Sequence, residues 1–284
     1  MNQPIVFAVV ALVCYGVTDF IYKQAAAAGI RANHFLMAQG WFFFPLVAGY
    51  ALAMGRLVLD PAALWGSVAG AFVFIGFYFF IRSLSAGAVS TNASIFRLNF
   101  IVTVALVVIL LGEPLTAGRI IGLAFALAAT WLLLGAGGSG GAPMEARRRS
   151  LIQVAIATVA FGASNFFHTL GLRHGAVPET LAVAQASLFM PLATLVVYGA
   201  DRQLRPPRPT FKYGAAAAIL LLGATIFLLH GIAAGQASVV VPIAQMGFIV
   251  AALLGIFVLR ERVTARKAIG LILALAALAT LAGS

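Results

Sequence analysis

Ten runs of about 20 apolar residues follow one another along the 284-residue chain, separated by short breaks that contain glycine, proline or arginine. One helix of about 20 apolar residues spans the hydrocarbon core of a bilayer. The chain is 63% apolar and 9% charged, whereas soluble domains carry about 25% charged residues. Because so few charges cannot cover a soluble surface, the sequence predicts an all-α integral membrane protein with ten transmembrane helices.

The apolar runs set the approximate bounds of the predicted helices. They lie at residues 4–25, 33–54, 62–84, 89–111, 116–135, 151–172, 179–200, 211–234, 238–259 and 264–283. Between the fifth and sixth runs, glycine and serine favour a flexible connection. The predicted organisation is a first five-helix repeat over residues 1–138, a linker over 139–150 and a second repeat over 151–284.

The two halves of the chain are related in sequence. A shift of 148 residues places Ala86–Ala129 on Ala234–Ala277 without a gap, with 19 identities that include Glu113 on Glu261. A shift of 146 residues places the segment YGVTDF of the first helix on FGASNF of the sixth. Since each repeat has an odd number of helices, the second must enter the membrane from the opposite side, as in secondary transporters built from inverted repeats.

Two turns with a shared pattern, LGEPLT at residues 111–116 and LRERVT at 259–264, close the fourth and ninth helices. Together with the paired opening motif, these turns make the chain similar to the drug/metabolite transporter superfamily, specifically to EamA-type carriers. The resemblance implies a cavity between helices one, three, four, six, eight and nine. It also suggests a homodimer formed through the last, small-residue helix of each repeat. The acidic turns, at Glu113 and Glu261, are interpreted as joints between helices.

A few polar side chains lie inside the predicted helices, where an ionisable group costs about 2.5–3.5 kcal/mol and usually faces a cavity or a partner. The predicted substrate-binding residues are Asp19, Tyr78, Arg97, Asn99, Asn165, His168 and Gln245. Asp19 is also a candidate for proton coupling. A purely structural reading remains open, in which Asp19 is a permanent partner of Lys23 or Arg97 and the amides join helices by hydrogen bonds.

These residues predict a secondary active transporter that moves a small polar, amino-acid-like solute outward across the bacterial inner membrane by alternating access. The alternatives are a nucleotide-sugar or lipid-linked-sugar transporter of the same fold, a membrane-embedded enzyme, or a channel. The four histidines show no metal-ligand spacing, so no catalytic residue, metal or cofactor is predicted. The expected partners are a small-molecule substrate and the lipid bilayer, and no nucleic acid.

The orientation in the membrane follows from the positions of lysine and arginine, which concentrate on the cytoplasmic side. In the second half these residues cluster between helices 5 and 6, 7 and 8, and 9 and 10, which places both termini outside. The family resemblance implies termini inside. The sequence therefore leaves the orientation open.

Overall fold

The computed structural model describes residues 2–84, 89–134, 143–202, 204–258, 260 and 264–284. Within these ranges the chain is helical and contains no strand. A short 3₁₀ turn, Pro61–Ala63, precedes the third helix. The α-helices are α1 (Gln3–Ala27), α2 (Ala32–Ala53), α3 (Leu64–Leu84), α4 (Val89–Arg97), α5 (Asn99–Leu111), α6 (Ala117–Leu134), α7 (Met144–Arg173), α8 (Pro178–Asp201), α9 (Arg208–Ala234), α10 (Ala237–Gln245), α11 (Phe248–Phe257) and α12 (Ala265–Ala282).

The helices account for the ten predicted spans, so the predicted fold of two inverted five-helix repeats is confirmed. Eight helical segments of the described chain are long and apolar enough to cross a membrane, and two shorter apolar segments lie at Ile95–Leu111 and Ala117–Leu133. Residues 144–150, which the sequence predicts as part of the linker, form the first turns of α7. The rest of that linker, up to residue 142, and Glu261 lie outside the described residues.

The fourth and ninth spans are each broken into two helices, which the hydropathy pattern does not predict. The fourth breaks at Leu98, between α4 and α5, and the ninth breaks at Met246 and Gly247, between α10 and α11. The shift of 148 residues that relates the repeats places Leu98 on Met246. The breaks are therefore a repeated feature of the fold, and discontinuous helices of this kind are typical of transporter binding sites.

The two repeats interlock, because each broken span packs against the first helix of the other repeat. Gly16 of α1 lies against the backbone of Gly247, and Gly162 of α7 lies against Asn99 and Val102. A side chain at either glycine would overlap these atoms. Glycine is therefore required at both close approaches.

The small-residue helices that end the two repeats, α6 and α12, pack against each other. Leu281 of α12 lies over Gly122, and Leu133 of α6 lies over Gly270. These small-residue faces are thus occupied within one chain. The homodimer suggested for them stays a prediction.

The ends of the helices define two faces of the bundle. The terminal face contains the start of α1, the end of α12 and the connections after α2, α5, α7 and α9, with Arg56, Arg119 and Arg173 as its arginines. The basic face is opposite. The described basic residues on its side are Lys23, Arg31, Arg82, Arg147, Arg148, Arg149, Arg202, Arg205, Arg208, Lys212, Arg260, Arg266 and Lys267.

Candidate substrate cavity

A cavity of about 560 Å³ lies at the centre of the bundle. Five of the predicted site residues line it: Asp19, Arg97, Asn165, His168 and Gln245. The other polar or charged lining residues are Tyr15, Thr18, Tyr22, Lys23, Gln39, Ser164, Gln185, Thr225 and Lys267. The structure thus brings together polar side chains from both repeats in one place.

Asp19 and Arg97 form an ion pair across the cavity wall. Arg97 is the last residue of α4, directly before the break at Leu98, and Asp19 lies in the second half of α1. Their side chains are 19% and 18% exposed, so both are largely withdrawn from solvent and still face the cavity. Each charge is thereby balanced by the other.

A second polar pair lies beside the ion pair. The Tyr22 hydroxyl donates to Gln39 Oε1 at 2.8 Å, which joins α1 to α2. On the same face of α1, the Thr18 hydroxyl donates to the backbone oxygen of Cys14 at 2.8 Å. The polar groups that the first repeat brings to the cavity therefore largely pair with one another.

The second repeat brings polar atoms without hydrogen-bond partners among the described residues. By strict hydrogen-bond geometry these atoms are both ring nitrogens of His168, Oε1 of Gln185 and Nε2 of Gln245. The His168 and Gln185 side chains are close enough to interact with each other, whereas Gln245 Nε2 has no such neighbour in the described part of the chain. His168 and Gln245 are each only 3% exposed. Because buried polar groups are nearly always paired, unpartnered atoms on a cavity wall point to hydrogen bonds with a bound molecule.

One wall of the cavity is aromatic. Phe77 of α3 contacts Phe96, Phe161 and Phe189, with ring centroids 5.4–6.3 Å apart, and Phe80 stacks on Phe96 at 4.4 Å. All five rings line the cavity. This aromatic wall favours a solute that has an apolar part as well as charged groups.

Two predicted site residues do not line this cavity. Tyr78 accepts a hydrogen bond from Arg82 Nη1 at 2.7 Å, on its own helix. Asn99 lies just past the break of the fourth span, where its side chain donates to Phe96 O at 2.8 Å. Both side chains therefore form hydrogen bonds with residues of their own membrane span and do not line the cavity.

Sequence reasoning missed the glutamines of the second span in each repeat. The shift of 146 residues that relates Asp19 to Asn165 also places Gln39 on Gln185, and it aligns the proline inside α2, Pro45, with Pro191 of α8. A search for paired polar positions beyond the first helix would have found them.

The cavity reaches the basic face and stops short of the terminal face. Lys23 and Ala26 near the end of α1, Leu133 of α6 and Lys267 of α12 all belong to its lining. Each of them lies close to the basic-face end of its helix. The structure therefore represents a conformation with its mouth on the basic face.

A polar network closes the terminal face between the repeats. Glu113 accepts hydrogen bonds from the backbone nitrogens of Ala237 and Ser238 at 3.2 and 2.8 Å, at the start of α10. It also forms an ion pair with Arg173 at 3.0 Å. Arg119 donates to Ser238 Oγ at 3.2 Å. The acidic turn after α5 thus joins the first repeat to two helices of the second.

No group of three or more histidine, cysteine, aspartate or glutamate side chains that could hold a metal occurs in the described part of the chain. The polar groups of the cavity are an ion pair, two lysines, amides, hydroxyls and one imidazole, a set suited to hydrogen bonds and charge interactions.

The interlocked inverted repeats, the broken spans and the central polar cavity define a multi-pass membrane transporter. The EamA-like transporter family matches residues 2–135 and 148–283, and the chain belongs to this family. A solved structure titled only as a crystal structure of a protein is 16% identical, with a TM-score of 0.82 over 99% of this chain and 96% of that one. That likeness concerns the fold. No curated protein matches the chain significantly in sequence.

Proposed function

We propose that the protein exports an amino-acid-like zwitterion across the bacterial inner membrane by alternating access. The ion pair of Asp19 and Arg97 on the cavity wall carries this proposal. An ammonium group bound to Asp19 and a carboxylate bound to Arg97 replace each charge with an equivalent one. Because all charges stay paired, the solute avoids the large cost of an uncompensated charge in the membrane interior.

The remaining lining supports the rest of the solute. Arg97 offers a fork of N–H donors that suits a carboxylate. Gln245 and His168 supply the unpartnered polar atoms opposite, and the aromatic wall accepts an apolar side chain. The cavity therefore fits an amino acid with an apolar or aromatic side chain better than a strongly hydrophilic solute.

The direction of transport rests on the charge distribution. Basic residues concentrate on one face, and such residues mark the cytoplasmic side. The cavity opens to that face, so we infer that this conformation loads from the cytoplasm. Both chain termini are then outside. An alkaline phosphatase fused to the C-terminus is expected to be active in intact bacteria, and an inactive fusion would reverse the orientation.

The proposal is tested by counterflow in proteoliposomes. Vesicles loaded with an unlabelled amino acid are expected to take up external radiolabelled L-phenylalanine or L-leucine faster than empty vesicles. Asp19→Asn and Arg97→Gln should each reduce this uptake by at least about tenfold, because each leaves one charge of the site unpaired.

Arg266→Gln is the matched control, since Arg266 donates to Trp131 O away from the cavity lining. It should leave uptake near the wild-type rate. Full uptake by both Asp19→Asn and Arg97→Gln would refute the assignment. Counterflow of a UDP-sugar in place of every amino acid would also overturn it, in favour of an anion carrier that uses Lys23 and Lys267 at the mouth.

A further inference from the structure

Glu179, the second residue of α8, is a buried carboxylate outside the central cavity. Its side chain is 5% exposed and does not line the cavity. Oε1 lies 3.0 Å from His230 Nε2 on α9, and Oε2 has no partner among the described residues. The proposed transport cycle gives this pair no role.

His230 connects the buried carboxylate to the outside of the bundle. Its side chain is 36% exposed and borders a separate groove of about 480 Å³. The residues that line this groove are Phe7, Tyr50, Ile219, Leu222, Gly223, Ile226, Phe227 and His230. His230 lies one turn before the end of α9, so its partly exposed ring is close to the terminal face and outside the cavity lining.

The carboxylates of Asp19, Glu113 and Glu179 differ in the partner with which each is paired. Asp19 is paired with Arg97, and Glu113 is held by Arg173 and two backbone N–H groups. Arginine keeps its charge at any physiological pH. Histidine, the partner of Glu179, gains and loses a proton near neutral pH. Only the partner of Glu179 can therefore change charge.

We propose that Glu179 and His230 form a proton-binding site at the terminal face, and that this proton is the coupling ion exchanged for the outgoing solute. With one proton the pair is neutral as a unit, and without it a net negative charge remains in apolar surroundings. Glu179 lies in the first turn of α8, where the helix dipole stabilises a negative charge. The coupling part of the proposal rests on the proposed transport function.

The two helices that carry Glu179 and His230, α8 and α9, also line the central cavity. Gln185 lies six residues after Glu179 on α8, and Thr225 lies five residues before His230 on α9; both line the cavity. Proton occupancy of the pair changes the attraction between the terminal-face ends of α8 and α9. The same two helices thus connect proton binding at one face with a cavity that opens at the other.

Other titratable groups near this end are carried by the surrounding elements. They are Tyr50 of α2, Arg56 and Asp60 before α3, and Arg173 and His174 at the end of α7. Residues 3–13 of α1 and all of α10 contain none. Arg173 is paired with Glu113, Asp60 accepts from Ala62 N, and His174 Nδ1 lies 2.7 Å from Leu170 O. His174, a histidine near the same face with a backbone partner, therefore provides a matched control for His230.

The proton site is tested without any solute by nitrogen NMR of the full chain labelled on histidine and reconstituted in lipid. The His230 signal, assigned with His230→Gln, is expected to switch between protonated and neutral forms as the pH changes. Glu179→Gln, which keeps the shape and removes the charge, should move that transition by at least about one pH unit, and His174→Gln should not. An unmoved transition in Glu179→Gln would refute the site.

The coupling is tested in proteoliposomes with radiolabelled L-phenylalanine. Wild-type protein is expected to concentrate it when a pH gradient is applied. Glu179→Gln should keep counterflow but lose gradient-driven accumulation, whereas His174→Gln should keep both. Accumulation by Glu179→Gln, or its absence in a wild-type protein that performs counterflow, would overturn the coupling. Absence of wild-type counterflow would instead refute the proposed substrate, and the NMR transition would still decide the proton site.

Discussion

The two halves of the cavity have the same backbone plan and different chemistry. In the first repeat the polar side chains pair with one another, Asp19 with Arg97 and Tyr22 with Gln39. The equivalent positions of the second repeat hold Asn165, Gln245, His168 and Gln185. Three of those four have polar atoms without partners among the described residues. One half therefore holds its own charges in place, while the other leaves hydrogen-bonding capacity for a solute.

The helix breaks and glycine contacts of the backbone are repeated in both halves, although the side chains that line the cavity differ. The breaks at Leu98 and at Met246 occupy equivalent positions, and Gly16 and Gly162 contact the broken span of the opposite repeat in the same way. Alternating access requires two halves that can exchange conformations, and this constrains the backbone. It leaves the lining free to diverge, and the ion pair of Asp19 and Arg97 comes from the first repeat alone.

The largest expected effect comes from breaking the ion pair on one side. Arg97→Gln makes the first half resemble the second, where Gln245 occupies the matching position, and it leaves Asp19 unpaired. We expect a loss of stability of about 2 kcal/mol, seen as a lower unfolding temperature in detergent. The double variant Asp19→Asn/Arg97→Gln should be more stable than Arg97→Gln alone. A loss in the double variant equal to the sum of the two single-variant losses would show that the two charges do not interact.

The repeated close approaches should respond alike in the two halves. Gly16→Ala and Gly162→Ala each force a methyl group into the opposite repeat, and each should lower the free energy of unfolding by about 1–3 kcal/mol. Gly49→Ala is the control, because a Cβ there meets open space. If only one of the two variants is destabilised, the packing of the halves is not equivalent.

Replacing the two equivalent glutamines, Gln39 and Gln185, should change stability by different amounts. Gln39→Met removes the acceptor of the Tyr22 hydroxyl and should cost about 1 kcal/mol of stability. Gln185→Met removes an oxygen that makes no hydrogen bond of good geometry among the described residues and only a looser contact with His168, so it should cost clearly less stability than Gln39→Met. Thermal unfolding of the two variants, side by side, checks this. A loss of the same size in both would contradict the difference between the halves.

The smallest expected effect is at Tyr78. Its hydroxyl binds Arg82 and does not line the cavity, so Tyr78→Phe should change L-phenylalanine counterflow by no more than about twofold. A large loss of counterflow in Tyr78→Phe would show that Tyr78 belongs to the binding site.

Much of the fold could be predicted from the sequence because hydropathy and a shifted self-comparison report membrane spans and repeats directly. The breaks in the fourth and ninth spans could not be predicted, because the apolar pattern of the sequence continues past Leu98 and Met246. Tyr78 was predicted as a site residue because a helix of uniform hydropathy gives no sign of which face points inward. Asn99 is predicted from a polar face of one continuous fourth helix that also carries Asn92 and Thr103, and the break at Leu98 interrupts that helix.

The most direct test is a binding cycle between Arg97 and the carboxylate of the solute. The affinities of wild-type protein and Arg97→Gln are measured for L-phenylalanine and for phenethylamine, which lacks the carboxylate. We predict that wild type prefers L-phenylalanine by about thirtyfold, equivalent to about 2 kcal/mol, and that Arg97→Gln shows no preference. The same preference in both proteins would contradict the assignment of the first-repeat charge pair to a zwitterion.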